Sequence, residues 1–142
     1  MFRQINDTVF ASPQIGTDAI AEAAALGIVR IINNRPEDES DDQTPGAEIE
    51  AAARAASIDY VAIPVTHAGF SQGQVHAMQQ ALDSAGGPVL AYCRSGTRST
   101  LLWALARAKS GENPAAIAAA AAGAGYDVTP VRALMDMLAA GR

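Results

Sequence analysis

The chain has 142 residues, 49% of them hydrophobic and 18% charged, so we expect a single folded domain over residues 1–142 with one core. The net charge of −5 argues against general binding to nucleic acid, whose phosphates are bound by clustered Lys and Arg. One cysteine excludes an intramolecular disulfide. The apolar stretches are too short to cross a membrane and no leader pattern begins the chain, so a cytoplasmic protein is expected by default.

Helices and strands alternate through the first half of the chain. TVFASPQI predicts a short strand that ends near Pro13, and Thr17 or Asp18 can cap a helix that runs to Leu26. The β-branched run IVRIINNR, from Ile28, indicates a buried parallel strand. An acidic segment, residues 36–42, then predicts a solvated loop. A helix from residue 45 and a strand over residues 60–65 follow.

The second half begins with a capping-box pattern. Ser71 and Gln74 have the spacing of a helix start, and the helix should run to about residue 85, before a Gly-Gly-Pro break. VLAYC, residues 89–93, predicts the next strand, and TRSTLLWALARAK the next helix. Asn113 and Thr129, each followed by proline, mark the starts of two C-terminal helices.

This order of elements predicts an α/β fold with a mainly parallel central sheet, helices on both faces and extra C-terminal helices. Ligands of such sheets bind at the carboxyl ends of the strands. Cys93 follows a predicted strand at such an end.

The loop after that strand, CRSGTRS, carries the pattern of an anion site with a nucleophile. A cysteine attacks as its thiolate, and the following helix N-terminus favours an anion there. The amides from Arg94 to Arg98 can form an anion-binding nest through Ser95, Gly96 and Thr97.

Side chains of the same segment add to this site. Arg94 and Arg98 supply two guanidinium groups, one of which can fork two oxygens of an oxyanion. Gly96 suits a backbone that approaches its ligand closely. Ser99 or Thr100 could donate a hydrogen bond to the sulfur of Cys93.

Three segments together, IINNRPEDE, YVAIPVT and VLAYCRSGTRST, resemble the family of beta-lactamase hydrolase-like protein phosphatase-like domains. Those are bacterial proteins similar in fold to dual-specificity and tyrosine phosphatases. The resemblance implies that Cys93 attacks phosphorus to form a phosphocysteine. It also implies that the loop amides and Arg98 hold the phosphoryl oxygens, with Ser99 in the place where phosphatases have a hydroxyl.

The loop departs from the phosphatase pattern in three ways. Four residues lie between Cys93 and Arg98, where the tyrosine phosphatase signature has five, and a six-residue loop resembles that of rhodanese sulfurtransferases. Tyr92 stands where phosphatases usually have histidine. The loop THAGF lacks the general-acid aspartate, so His67 is the candidate proton donor. An aspartate of the acidic segment is the alternative: Asp38, Asp41 or Asp42.

Three functions remain open from the sequence. The first is a cysteine-dependent phosphatase acting on a phosphorylated small molecule or phosphoprotein, and the second is a sulfurtransferase that carries a persulfide on Cys93. The third is a module that binds an oxyanion without turnover. Asn33 and Arg35 could reach the mouth of the site from a neighbouring strand. No cofactor is implied, and the two histidines and one cysteine lie at no metal-ligand spacing.

Overall fold

The computed structural model describes residues 1–141. Five strands form one sheet: β1 (Arg3–Gln4), β2 (Val9–Ser12), β3 (Arg30–Asn33), β4 (Asp59–Ala62) and β5 (Val89–Tyr92). Their order is β1-β2-β5-β3-β4. Only β1 is antiparallel to its neighbour, so the prediction of a mainly parallel sheet is confirmed.

Six α-helices cover the sheet: α1 (Ile20–Ala25), α2 (Gly46–Ala55), α3 (Gln72–Asp83), α4 (Thr97–Lys109), α5 (Pro114–Gly123) and α6 (Arg132–Ala140). Short 3-10 turns, Thr17–Ala19 and Thr129–Val131, precede α1 and α6. Residues of α1 and α2 pack in one apolar cluster with Ile31 and Leu90. Those of α3 to α6 pack with Ile32 and Ala91, the next residues along the same strands, on the opposite face. Helices therefore cover both faces, as predicted.

Several element starts follow the predicted capping chemistry. Ser71 and Gln74 form the reciprocal capping box of α3, and the Asn113 side chain accepts hydrogen bonds from two amides of α5. The start of α2 is different, because Pro45 is the cap rather than the first helical residue. There Glu37 Oε1 accepts a hydrogen bond from the amide of Gly46 at 2.9 Å.

The strands are shorter than the sequence predicts, and the difference is informative at β4. The predicted strand over residues 60–65 leaves the ladder after Ala62. The amides of Ile63 and Val65 still donate to the carbonyls of Asn33 and Asn34, both at 2.9 Å. This bent continuation turns the carbonyl of Val65 toward the carboxyl edge of the sheet.

The register of the parallel strands aligns their carboxyl ends. Tyr92, the last residue of β5, is paired with Ser12 of β2 and with Asn33 of β3. All four residues of β5 are buried between these two neighbours. The segment that follows β5 therefore emerges at the centre of the carboxyl edge, where ligands of parallel sheets bind.

Candidate active site

Cys93 is the first residue after the central strand and its side chain is fully buried. Its amide donates to the carbonyl of Ser12 at 3.3 Å, which keeps it against β2. The amide of Gly96 donates to Cys93 Sγ at 3.1 Å. The sulfur is thus the acceptor at the bottom of the loop, the position that the sequence predicts for a nucleophile.

Carbonyl groups of the loop are held away from the sulfur by hydrogen bonds. The carbonyl of Arg94 accepts from the amide of Gln14 at 3.2 Å. The carbonyl of Gly96 accepts from both the amide and the hydroxyl of Thr100, at 3.0 and 2.9 Å. Because N–H and C=O point in opposite directions across a trans peptide, these contacts turn loop amides toward the anion position. Of these amides, that of Gly96 already donates to Cys93 Sγ, and that of Thr97 donates to Ser95 Oγ at 3.3 Å.

Gly96 caps the N-terminus of α4 in a left-handed conformation, with φ of 93°. That conformation turns the chain sharply from the sulfur into the helix and is available to glycine at little cost. The thirteen residues of α4 direct the positive end of the helix dipole at the loop. The combination of nest and helix terminus favours a bound anion next to Cys93.

Arg98 lies in the first turn of α4 with 12% of its side chain exposed. Its Nη1 donates to Glu39 Oε2 at 2.8 Å and to the carbonyl of Val65 at 2.6 Å, and its Nη2 donates to Glu39 Oε1 at 2.8 Å. A guanidinium has five N–H donors. Among the described residues the Nε–H and the second Nη2–H of Arg98 have no oxygen or nitrogen acceptor, and Cys93 lies close enough to add to the effect of Glu39 in raising the pKa of Arg98. These two donors share one edge, and that edge can fork two oxygens of an oxyanion.

Glu39 is shared between two arginines. Arg35, whose side chain is 3% exposed, donates through Nε to Glu39 Oε1 at 2.9 Å. Arg35 is held in turn by Gln14 Oε1 at 2.9 Å and by Ser40 Oγ at 3.1 Å. One carboxylate between two guanidinium groups leaves a net charge of +1, which suits an anionic substrate.

The same contacts fix the protonation state of Glu39. Its hydrogen bond with Arg98, helped by Arg35 and opposed by burial, lowers the pKa of Glu39 from 4.5 to about 2. Reciprocally, the Glu39 hydrogen bond raises the pKa of Arg98. Glu39 is therefore a carboxylate near neutral pH and has no proton to give to a leaving group.

The other predicted loop residues lie around this centre. Arg94, Ser95 and Thr97 are exposed at the mouth of the loop. Ser95 Oγ donates to Thr97 Oγ1 at 3.0 Å. Ser99 is buried and its hydroxyl has no hydrogen-bond partner among the described residues. The hydroxyl of Thr100 is bound to a loop carbonyl, so it is not available to the sulfur.

The candidate proton donors of the sequence are exposed side chains. His67 is exposed in the turn after Val65, the residue whose carbonyl contacts Arg98. Asp38, Asp41 and Asp42 are exposed, and the acidic segment contributes Glu39 to the site instead. Burial raises the pKa of Tyr92, which replaces the usual histidine, and its hydroxyl lacks a partner among the described residues.

Two residues of the site are missing from the sequence-based prediction. Glu39 could have been paired with Arg35, since the two are four residues apart, but no local signal links it to Arg98. Tyr126, whose hydroxyl donates to the carbonyl of Ser95 at 3.3 Å, lies after a glycine-rich helix end with no motif. Within residues 1–141 no group of three potential metal ligands occurs and no helix is long and apolar enough to cross a membrane.

Comparison with known proteins identifies a family of phosphatase-like domains. The family described as "Beta-lactamase hydrolase-like protein, phosphatase-like domain" matches residues 1–110. The Beta-lactamase hydrolase-like protein of Xylella fastidiosa is 38% identical over 108 residues, and that of Agrobacterium fabrum is 36% identical over 104. These alignments cover 75% and 73% of this chain but only 25% and 24% of the relatives, so the chain spans about a quarter of their length.

Solved structures extend the similarity over nearly the whole chain. A Neisseria meningitidis protein assigned as a phosphatase is 33% identical, with a TM-score of 0.83 and 96% of both chains covered. TpbA of P. aeruginosa has a TM-score of 0.70 at 18% identity and covers 99% of this chain and 89% of its own. The predicted fold, similar to that of dual-specificity phosphatases, is confirmed.

Proposed function

This chain belongs to the family of phosphatase-like domains found in Beta-lactamase hydrolase-like proteins, and on that premise we propose that it is a cysteine-dependent phosphatase acting on phosphate monoesters. The observation that carries the proposal is the pairing of a buried sulfur with an inward amide, the Gly96 N–H at 3.1 Å. The unoccupied edge of Arg98 adds two donors for phosphoryl oxygens. Such donors stabilise charge that develops on the transferred group.

The proposed reaction has two steps. In the first, the Cys93 thiolate attacks phosphorus, the S–P bond forms, and the bond to the leaving oxygen breaks while that oxygen takes a proton from His67. In the second, water attacks phosphorus and gives a proton to His67, which lost one in the first step, the S–P bond breaks, and phosphate leaves. Ser99 donates a hydrogen bond to the departing sulfur. Throughout, Arg98 and the amides of residues 94–98 bind the phosphoryl oxygens.

The substrate is proposed as a phosphorylated small molecule or a phosphoprotein. Among the structural neighbours, a TpbA variant is bound to pTyr and PTPMT1 is bound to PI(5)P, so proteins of this fold bind different phosphorylated ligands. Arg94, Ser95 and Thr97, exposed at the mouth, would meet the part of the substrate beyond the phosphate.

Sulfur transfer is the second candidate, and the length of the loop favours it. Six residues from Cys93 to Arg98 make a tighter ring than the seven of tyrosine phosphatases. In that reaction the Cys93 thiolate attacks the outer sulfur of a donor such as thiosulfate, the S–S bond of the donor breaks and sulfite leaves. Cyanide then attacks the outer sulfur of the persulfide, which releases thiocyanate and restores the thiolate. Binding of an oxyanion without turnover is the third possibility.

Mass spectrometry of the full-length protein, followed by analysis of its peptides, distinguishes these three functions by the adduct that forms on Cys93. After brief exposure to an aryl phosphate and an acid quench, we expect a phosphoryl group on the peptide that contains Cys93. A sulfur atom added to that peptide by thiosulfate, with no phosphoryl adduct from any aryl phosphate, would contradict the phosphatase proposal. The Cys93→Ser variant is the control for adducts formed elsewhere.

A further inference from the structure

The peptide unit that joins Ser95 to Gly96 is held from both sides. On one side its N–H donates to Cys93 Sγ at 3.1 Å. On the other its carbonyl accepts from the hydroxyl of Tyr126 at 3.3 Å. The two contacts act on opposite ends of one rigid plane, so the position of the tyrosine hydroxyl sets the direction of the amide that meets the sulfur.

Tyr126 reaches the loop from the connection between α5 and α6. It lies 31 residues after Ser95, beyond residues 1–110 that the family description matches. The guanidinium of Arg3 stands over its ring, 5.5 Å from the centroid, and donates to the carbonyl of Ala124 at 3.2 Å. Strand β1 and the C-terminal helices thus hold the ring against the catalytic loop.

Contact between Tyr126 and the loop is close. A Cβ atom placed on Gly96 would lie 2.1 Å from the hydroxyl oxygen of Tyr126, so only glycine permits this approach. Burial raises the pKa of Tyr126, which keeps its hydroxyl protonated and able to donate. A donor on the carbonyl also polarises the peptide and strengthens its N–H as a donor.

We propose that Tyr126 is a positioning residue of the active site: its hydroxyl orients the Ser95–Gly96 peptide so that the Gly96 amide stabilises the thiolate of Cys93 and then a bound oxyanion. The inference rests on the proposed function for its catalytic consequence, while its effect on the sulfur can be measured without turnover. The other two outward carbonyls, of Arg94 and Gly96, are held within the matched region, by Gln14 and Thr100. Tyr126 supplies the third contact from outside it.

The test compares Tyr126→Phe with wild type and with Tyr60→Phe. The hydroxyl of Tyr60 accepts from Asn33 Nδ2 at 2.9 Å, so this control loses a tyrosine hydroxyl that orients no peptide of the loop from Cys93 to Arg98. The rate of alkylation of Cys93 by iodoacetamide is measured from pH 5 to 9, together with kcat and KM for an aryl phosphate. Since Cys93 is the only cysteine, the alkylated site is unambiguous.

We expect alkylation of Tyr126→Phe at neutral pH to be about three- to tenfold slower, the effect of one hydrogen bond, with its pH profile moved to higher pH. The value of kcat should fall by a similar factor, and Tyr60→Phe should match wild type. Arg98 and Tyr126 are two titratable groups that lie close enough to Cys93 to interact with its charge, and Glu39 is bound behind Arg98. Only Tyr126 changes in the variant. Arg3→Gln, which keeps the hydroxyl but removes the cation over the ring, should give a smaller shift in the same direction.

Identical alkylation profiles for Tyr126→Phe and wild type would overturn the positioning role, whatever the phosphatase assay gives. Slower alkylation of Tyr126→Phe in a protein whose wild type releases no phosphate would support the positioning role and reject the phosphatase function. The two ideas therefore fail separately.

Discussion

Glu39 and Arg98, 59 residues apart in the chain, form a two-pronged ion pair in which each carboxylate oxygen lies 2.8 Å from a different terminal nitrogen. The pair uses one edge of the guanidinium and leaves the edge that carries Nε for a ligand. Glu39 therefore orients the arginine without occupying all of its donors. An arginine fixed in this way loses less freedom when it binds an oxyanion.

Replacing Glu39 with glutamine should weaken both the fold and the activity. The amide of Glu39→Gln cannot accept from both nitrogens as the carboxylate does, so kcat/KM for an aryl phosphate should fall by about tenfold or more. Unfolding free energy at pH 7 should fall by about 1–3 kcal/mol, because a partly buried charge loses its partner. Equilibrium unfolding in urea measures this change in free energy.

The pH dependence of that stability difference follows from the lowered pKa of Glu39. A carboxyl group whose folded pKa, about 2, is below its ordinary value of 4.5 stabilises the fold above pH 4.5, and this stability is lost as pH falls toward 2. The difference in unfolding free energy between wild type and Glu39→Gln should therefore be constant near neutral pH and become smaller as the pH falls from 5 to about 2. Arg54→Gln is a useful control, since it removes an exposed ion pair with Glu50. A difference independent of pH throughout would show that the carboxylate charge is not responsible.

Substitution of Ser99 should slow the reaction without lowering the stability of the protein. Its buried hydroxyl has no partner among the described residues, so Ser99→Ala should leave the melting temperature unchanged or raised. If the hydroxyl assists departure of the sulfur, hydrolysis of the phosphocysteine should slow, and a burst of aryl alcohol should precede slower turnover. Stopped-flow absorbance detects that burst.

Thr100→Val provides the contrast to Ser99→Ala. The hydroxyl of Thr100 donates to the carbonyl of Gly96, so its loss should lower the melting temperature by loosening the loop. Turnover without a burst in Ser99→Ala, at the wild-type rate, would exclude a role for Ser99 in the second step.

The role of His67 as proton donor can be tested with substrates whose leaving groups differ in basicity. A general acid matters most when the leaving oxygen is basic, and its contribution is typically about 10²–10⁴-fold. His67→Gln should therefore reduce hydrolysis of an alkyl phosphate strongly and that of p-nitrophenyl phosphate little. His76→Gln, at the other histidine, which is exposed on α3, is the matched control. Equal rates for His67→Gln and wild type on both substrates would remove His67 from the mechanism.

Local chemistry made much of the fold predictable. The run TRSTLLWALARAK forms α4 over Thr97–Lys109 as predicted, and the capping patterns at Ser71 and Asn113 form as read. Strand β1 was missed because two exposed residues carry no alternation or hydrophobic signal. The predicted strand over residues 60–65 could have been shortened from the sequence at Pro64, which has no backbone N–H to donate to the ladder.

The candidate site could be predicted only where its residues lie close together in the sequence. The loop from Cys93 to Arg98 is recognisable in the sequence, because a cysteine, a glycine and two arginines lie within six residues at the start of a helix. Glu39 and Tyr126 reach the loop from segments 59 residues before Arg98 and 31 residues after Ser95. The sequence predicts a solvated loop for the acidic segment, and four of its five acidic side chains are exposed. Its fifth, Glu39, turns inward because Arg35 and Arg98 together offset the cost of burying its charge.

Release of phosphate from p-nitrophenyl phosphate, by wild type and Cys93→Ser from pH 5 to 8, tests the central claim most directly. We predict turnover by wild type that orthovanadate inhibits, no turnover by Cys93→Ser, and no transfer of sulfur from thiosulfate to cyanide by either. Equal phosphate release by the two proteins, or none by wild type together with Cys93-dependent formation of thiocyanate, would contradict the assignment of this loop as a phosphatase site.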